Sequence, residues 1–333
     1  MAIIESTKKI EKVIDGRELV PQTLASLGRP TYDNVEDERR ARKIGLAASL
    51  RVFGRLGYGE GVAGHITARD PEFTDHFWVN PFGKSFRHMK TSDLLLVNHD
   101  GDVVYGNQPV NKAAFVLHAA IHKARPEVIG AAHAHSTYGK AWSSLGRKLD
   151  PITQDSCIFY EDHTVISEQG GAIVFEAAAA EEIISKFPTG KAAIHQNHGL
   201  FTVGTTVEAA AYWFITMDRS CQAQLLAEAA GTPKLIPHDM AMYTQQLTGF
   251  ADAGWFQFQP LFQEICASDP ELFELANPHL VRPQHRHALV RCHPNYFFSA
   301  RQQPNTLAQL SPSTYLINSH LQAWRGSVSL APH

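Results

Sequence analysis

His133-Ala134-His135 places two imidazoles two residues apart, and Asn197-His198-Gly199 offers a third further along the chain. If residues 128–135 form a strand, as Val128, Ile129 and the small alanines allow, the two-residue repeat puts His133 and His135 on one face. Such a pair is a ready set of nitrogen ligands for a divalent cation. His198, just before a glycine that can turn the chain, would complete three and leave a coordination position open, as catalytic metal sites require. Spacing alone leaves the alternative standing. With 18 histidines in 333 residues, the pair is equally consistent with two polar residues at a sheet end.

Further candidates flank these histidines. Pro151 to Asp155 and Ile158 to His163 bring Asp155, Tyr160, Glu161 and His163 close in sequence to the proposed metal strand. A carboxylate there would serve as a fourth ligand, as an acceptor for an imidazole N–H, or as a general base, against the commoner outcome of a solvated loop acid. Gly59-Glu60-Gly61-Val62-Ala63-Gly64-His65 is a glycine-rich turn whose amides can approach an anion, so Gly64 and His65 are candidate substrate contacts, as are His118 and Tyr138. A tight turn without a ligand explains the same glycines. His118 and His122 lie four apart on a predicted helix, a spacing competent for a metal, although a hydrogen-bonded histidine is the commoner outcome.

The elements that must position these groups read as follows. Asp33-Asn34 caps a helix whose Ile44, Ala47, Ala48, Leu50, Val52, Phe53 and Leu56 mark a buried side, and Gly57 stops it. Residues 77–81 and 94–97 read as strands, with a hairpin turn at 98–102. A helix over 113–124 ends at Arg125-Pro126. After the His-x-His strand come helices through Tyr138 and over 177–187, a strand at 192–198, and the longest helix, from Thr205 to about Ala230 with Gly231 as its stop. Helical pattern recurs at 242–250 and 260–267. Short strands close in sequence predict antiparallel pairing. The expected organisation is an arm over 1–32, one domain over 33–276, and an irregular or disordered tail over 277–333, where His285-Arg286-His287 is incidental.

Composition narrows the function classes. A net charge of −3, with 44% hydrophobic and 19% charged residues, describes an ordinary globular chain and gives no reason to expect nucleic acid. No apolar stretch approaches the ~20 residues of a membrane span. The start has no signal-peptide pattern, so a soluble, cytoplasmic protein is expected, with its four scattered cysteines reduced.

Taken together, Asn111 to His118, Arg125-Pro126-Glu127, His133-Ala134-His135 and Asn197-His198-Gly199-Leu200 before the long helix resemble the class II aldolase/adducin family over roughly residues 36–265. The resemblance implies an α/β fold, a three-layer α/β/α single domain with a central, largely antiparallel sheet, and a homotetramer with sites between subunits. It implies a divalent metal, zinc first and iron(II) or manganese as alternatives, held by His133, His135 and His198. It also implies a tyrosine borrowed from a neighbouring subunit, for which Tyr243 is the candidate. The family's aldolases carry a proton-handling glutamate four residues before the position of His118; this chain has Ala114. The first loop reads Gly64-His65 where the family has glycine-asparagine, and the serines expected before the helix are missing. Both departures disfavour a phosphorylated sugar.

Three functions stay open at this point. The first is a metal-dependent lyase, an aldolase or decarboxylase, acting on a small carbonyl or carboxylate-bearing substrate. The second is a non-heme iron(II) oxygenase like family relatives from antibiotic biosynthesis that oxidatively decarboxylate aromatic keto acids. The third is a non-catalytic binding protein like the adducin head.

Overall fold

The computed structural model describes residues 13–14, 17–18 and 28–273. Most of the expected N-terminal arm and the whole expected tail, with Cys292 and the 285–287 histidines, lie outside the described residues. The elements in order are β1 (Val13–Ile14), β2 (Arg17–Glu18), α1 (Val35–Arg55), β3 (His65–Arg69), β4 (His76–Val79), β5 (Leu95–Asn98), β6 (Val103–Tyr105), α2 (Lys112–Ala124) and β7 (Gly130–Ala134). They continue with α3 (Thr137–Ser143), α4 (Gln154–Cys157), β8 (His163–Ile166), α5 (Ala177–Ser185), β9 (Ala192–His195), β10 (Gly199–Gly204), α6 (Val207–Ala230), α7 (His238–Thr248) and α8 (Ala251–Ser268).

Eight strands form one sheet in the order β6-β5-β4-β3-β7-β10-β9-β8. Every pairing in it is antiparallel except β8 with β9. This is the α/β, three-layer, largely antiparallel architecture expected from the sequence. The pleat sorts the side chains. Ala132, Ala134, Leu200, Ile66 and Ala68 face a core with α1, α6 and α8, whereas Ala131, Phe201 and Val203 face a second core with α2 and α5. Central β7 is built from glycine and alanine because helices crowd it. A Cβ on Gly130 would sit 2.6 Å from the Thr206 carbonyl oxygen at the start of α6.

Local signals fix the helix ends. Asn34 Oδ1 accepts from the Asp37 amide at 2.9 Å, and Thr206 Oγ1 accepts from Ala209 at 3.0 Å, so both long helices start where a capping side chain meets an orphan N–H. The sequence expectation for α8 begins at Pro260, but the helix opens nine residues earlier and carries Pro260 inside. The burial of Ala253, Gly254 and Phe258 outweighs the one backbone hydrogen bond that the proline removes. Among the described residues no helix is long and apolar enough to cross a membrane. Cys157 and Cys221 are buried and free, and Cys266 is half-buried and outside any disulfide.

A charged knot ties α1 to the sheet. Asp70, fully buried, accepts from Arg39 at 2.8 and 3.0 Å, from Trp78 Nε1 at 2.9 Å, and from the Glu72 and Phe73 amides at 3.0 Å. Burial pushes its pKa up, but these donors outweigh it and bring the carboxyl from 3.8 down to about 2. A depressed folded-state pKa contributes stability that is complete above the unfolded value and is lost as pH falls through the folded one. Asp70→Asn is therefore expected to cost about 2 kcal/mol at pH 7. The gap from wild type should close as pH drops from about 4 to about 2. Urea denaturation across that range measures it; a gap independent of pH would contradict the assignment.

Candidate functional site

The site gathers at the end of β7. His133 leaves the strand on the α2 side, and His135 follows just beyond it. The chain then returns through β9, and Asn197, in the left-handed region at φ 58, makes the tight turn that brings His198 back over the sheet. The His198 amide donates to the His195 carbonyl at 3.1 Å across that turn. One ring nitrogen from each of His133, His135 and His198 lies within 4.8 Å of the others. The ring centroids are 4.7 to 5.2 Å apart.

The hydrogen bonds settle which nitrogen is free in two of the three rings, His133 and His198. His133 Nδ1 lies 2.8 Å from the Leu200 carbonyl, which can only accept, so Nδ1 carries the hydrogen and Nε2 keeps its lone pair. His195 Nε2 donates to the Glu168 carbonyl at 2.7 Å. In a neutral ring this leaves His195 Nδ1 to accept from His198 Nδ1–H at 3.0 Å, so His198 Nε2 also keeps its lone pair. That Nε2 lies 3.2 Å from His135 Nε2. Two nitrogens tetrahedrally bound at ~2.0–2.1 Å to one zinc would be about 3.3 Å apart, so the donor set fits a divalent cation. Burial holds all three rings below the ordinary imidazole pKa, with His198 at about 3 through burial and then its His195 and His135 neighbours. Neutral rings are the form that ligates.

Around this centre, His65 pairs in register with His133. Gly64, at φ 95, lets the loop pass close: a Cβ there would lie 3.3 Å from the His133 carbonyl oxygen. His118 is buried against Thr67, with its ring 5.9 Å from that of His65. Lys140 and Glu60 form an ion pair at 2.8 Å that spans from α3 to the glycine loop, close enough for both charges to act on His135.

The other expected residues are not brought here. His163 opens β8, which runs parallel to β9 with His163 opposite Ala192 and Ile166 opposite His195. It therefore stands about 10 Å along the strands from His195. Both of its nitrogens are used, by the Phe159 carbonyl and the Leu149 amide. Tyr160 bonds His238 of α7 instead, while Asp155 and Glu161 are solvent-exposed on the chain leading into that far end. Tyr138 packs in the α1/α6 core and accepts from Gln222 at 2.9 Å, on the opposite face of the sheet from His133. Tyr243 is exposed on α7. Conversely, His195 and Lys140 stand beside the triad although no motif in the sequence marks them, and Glu60 reaches it from within the glycine-rich turn.

The model of the family described as class II aldolase and adducin N-terminal domain matches residues 45–225, which contain His133, His135, His195 and His198. The chain belongs to this class II aldolase/adducin family. Among its members it is 42% identical over 245 residues to decarboxylase NovR of Streptomyces niveus, covering 73% of this chain and 90% of that one. It is also 42% identical over 249 residues to a 4-hydroxy-3-prenylphenylpyruvate oxygenase/4-hydroxy-3-prenylbenzoate synthase of Streptomyces roseochromogenus, covering 74% and 90%. The solved structure of an L-fuculose 1-phosphate aldolase from Glaciozyma antarctica superposes with a TM-score of 0.69 at 45% identity, over 75% of this chain and 98% of that one. As a class II aldolase-like protein this chain is read as an enzyme of the lyase type or a close relative of one.

Proposed function

We propose that the protein is a metal-dependent decarboxylating lyase that breaks a carbon–carbon bond beside a carbonyl in a small, non-phosphorylated 3-oxo acid. The observation that carries the reading is the convergence of three imidazoles, those of His133 and His198 with lone pairs turned inward, in a chain that has alanine at position 114. A divalent cation held by His133, His135 and His198 would supply Lewis acidity at a carbonyl or carboxylate oxygen.

The surrounding residues do the rest. His133 and His198 are locked in one tautomer by the Leu200 carbonyl and by His195, so the donor set is organised before substrate arrives. Lys140, at the edge beside His135, supplies a cation for the substrate carboxylate. Loss of CO2 from a 3-oxo acid leaves its electron pair in an enolate, whose oxygen such a divalent cation would stabilise, so the reaction needs a proton donor but no strong base. That suits a chain lacking the family's glutamate. The same lack, with Gly64-His65 in the first loop, argues against the sugar-phosphate cleavage for which the Glaciozyma aldolase is named.

A second reading, an iron(II) oxygenase, is favoured by the relative named as a prenylphenylpyruvate oxygenase. Turnover of 3-oxo acids and of arylpyruvates under argon and in air, with CO2 and dissolved oxygen followed together and metal content measured on protein purified without added metal, separates the two. CO2 release under argon that stops on chelation is the expected result. Oxygen uptake matching CO2, with iron bound, would establish the oxygenase instead. Full turnover after the metal is stripped would overturn both.

A further inference from the structure

The ion pair at the rim of the site joins two parts of the chain with unequal freedom. Lys140 stands on α3, where Gly139 and Trp142 are buried and the Gly139 amide donates to buried Asp218 at 2.8 Å. Its support is fixed. Glu60 stands on the loop between α1 and β3, where residues 59–62 are all exposed. The two ends of that loop rest on Phe86: a Cβ on Gly59 would lie 3.3 Å from its ring, and one on Gly64 would lie 3.2 Å away. Between them the tip stands clear. A Cβ on Gly61, in the left-handed region at φ 60, would meet nothing within 4 Å, and the tip closes on itself through the Ala63 amide, which donates to the Glu60 carbonyl at 3.1 Å. The tie from tip to α3 is the contact of Glu60 Oε2 with Lys140 Nζ at 2.8 Å. Among the described residues it is the one ion pair that either side chain makes. Both charges act on His135, so the pair closes beside a ligand of the triad.

We propose that Glu60 is a specificity-determining residue: before substrate arrives it occupies the seat of the substrate carboxylate on Lys140, and a ligand carboxylate displaces it where a neutral ligand does not; this rests on the lyase reading above, in which Lys140 meets that carboxylate. The two competitors are the same chemical group. Each offers two acceptor oxygens to one ammonium, so the exchange replaces charge with charge and leaves no donor unpaired.

Exposure keeps the exchange easy. The Lys140 and Glu60 side chains are 40% and 56% exposed, and an ion pair that open to water is worth no more than about a fivefold preference. A displaced Glu60 turns to solvent, on a tip flanked by Gly59 and Gly61. A neutral ligand brings Lys140 no anion, so the pair stays closed beside His135. Turnover then resets the device. The bond to the carboxylate breaks, its electron pair takes up one proton as a C–H bond, and the anion R–CO2− becomes neutral R–H and CO2. Lys140 is left without an anion, and Glu60 returns to it as the uncharged product loses its hold.

A double-mutant cycle reads the competition without turnover. Phenylacetate, a non-reacting monocarboxylate, is titrated calorimetrically into the zinc-loaded wild type, Glu60→Gln, Lys140→Met and the double variant. The salt is held at about 150 mM, where the field of an unpaired exposed charge is largely screened. Glu60→Gln is expected to bind phenylacetate about threefold more tightly than wild type, and Lys140→Met more weakly. On the Lys140→Met background Glu60→Gln should gain nothing, because there is no ammonium left to compete for. Zinc content and circular dichroism should match across the four proteins, since both side chains are exposed. An equal gain on both backgrounds would mean that Glu60 acts through its field alone, and this would overturn the proposal. Wild-type affinity in Glu60→Gln or in Lys140→Met would overturn it as well, as would no binding of phenylacetate by any of the four. If wild type releases no CO2 from 3-oxo acids while the cycle holds, the lyase reading falls and the carboxylate seat stands.

Discussion

His133→Ala is expected to purify with less than about a tenth of the wild-type metal content and without measurable turnover, while its sheet and helices still assemble. The reasoning is local. His133 contributes one nitrogen of three, and its loss leaves two ligands at the edge of the sheet, one of them beyond the end of β7. The ring stacks on Phe201 at 4.3 Å, so truncation also opens a small void. Its cost, about 1–3 kcal/mol for a buried ring only partly surrounded by apolar atoms, stays within what a core of this size tolerates. A metal bound only by the native state adds stability by mass action, roughly 2.7 kcal/mol at a hundredfold excess over Kd. Chelator should therefore lower the melting temperature of the wild type and leave that of His133→Ala unmoved. Equal chelator shifts in the two proteins would place the metal elsewhere.

How far such a centre can be read in a sequence depends on whether its geometry is local. The His133/His135 pair is legible because a strand repeats every two residues. His198 is legible because Asn-His-Gly is a turn sequence, and Asn197 does take the left-handed conformation that such a turn needs. The layer order and the antiparallel pairing follow from short strands with short connections. Four of the residues that the structure places away from the triad share one reason, the direction of chain travel. Asp155, Tyr160, Glu161 and His163 follow β7 closely in sequence, but the chain crosses to the far end of the sheet before entering β8 parallel to β9, so nearness in number becomes distance in space. Tyr138 is set apart by helix phase: α3 turns it toward α6. The partners of His195 are hidden because one is a backbone carbonyl 27 positions away, and no residue type announces a carbonyl acceptor.

His195 is where that hidden partnership can be measured. It binds no metal in this scheme, yet it is fully buried between the Glu168 carbonyl and His198, and it decides which nitrogen of His198 faces His133 and His135. His195→Phe keeps an aromatic ring near Phe201, now 6.1 Å away, and removes both hydrogen bonds. His198 then has no acceptor for Nδ1–H and is free to rotate or to carry its hydrogen on Nε2, the position needed for ligation. Groups that orient a ligating histidine in this way are worth about 10–100-fold in metal affinity. The expected result is a dissociation constant raised by that factor in competition with a fluorescent chelator. His133→Ala should lose more, and the secondary structure of both variants should match wild type. The ordering matters as much as the size. If His195→Phe binds metal as tightly as wild type, the Glu168-to-His195-to-His198 chain does not set the tautomer, and the order in the triad comes from the turn at Asn197 alone. If it binds as weakly as His133→Ala, His195 is itself a ligand, and the centre is a four-histidine site with no position left open for a substrate.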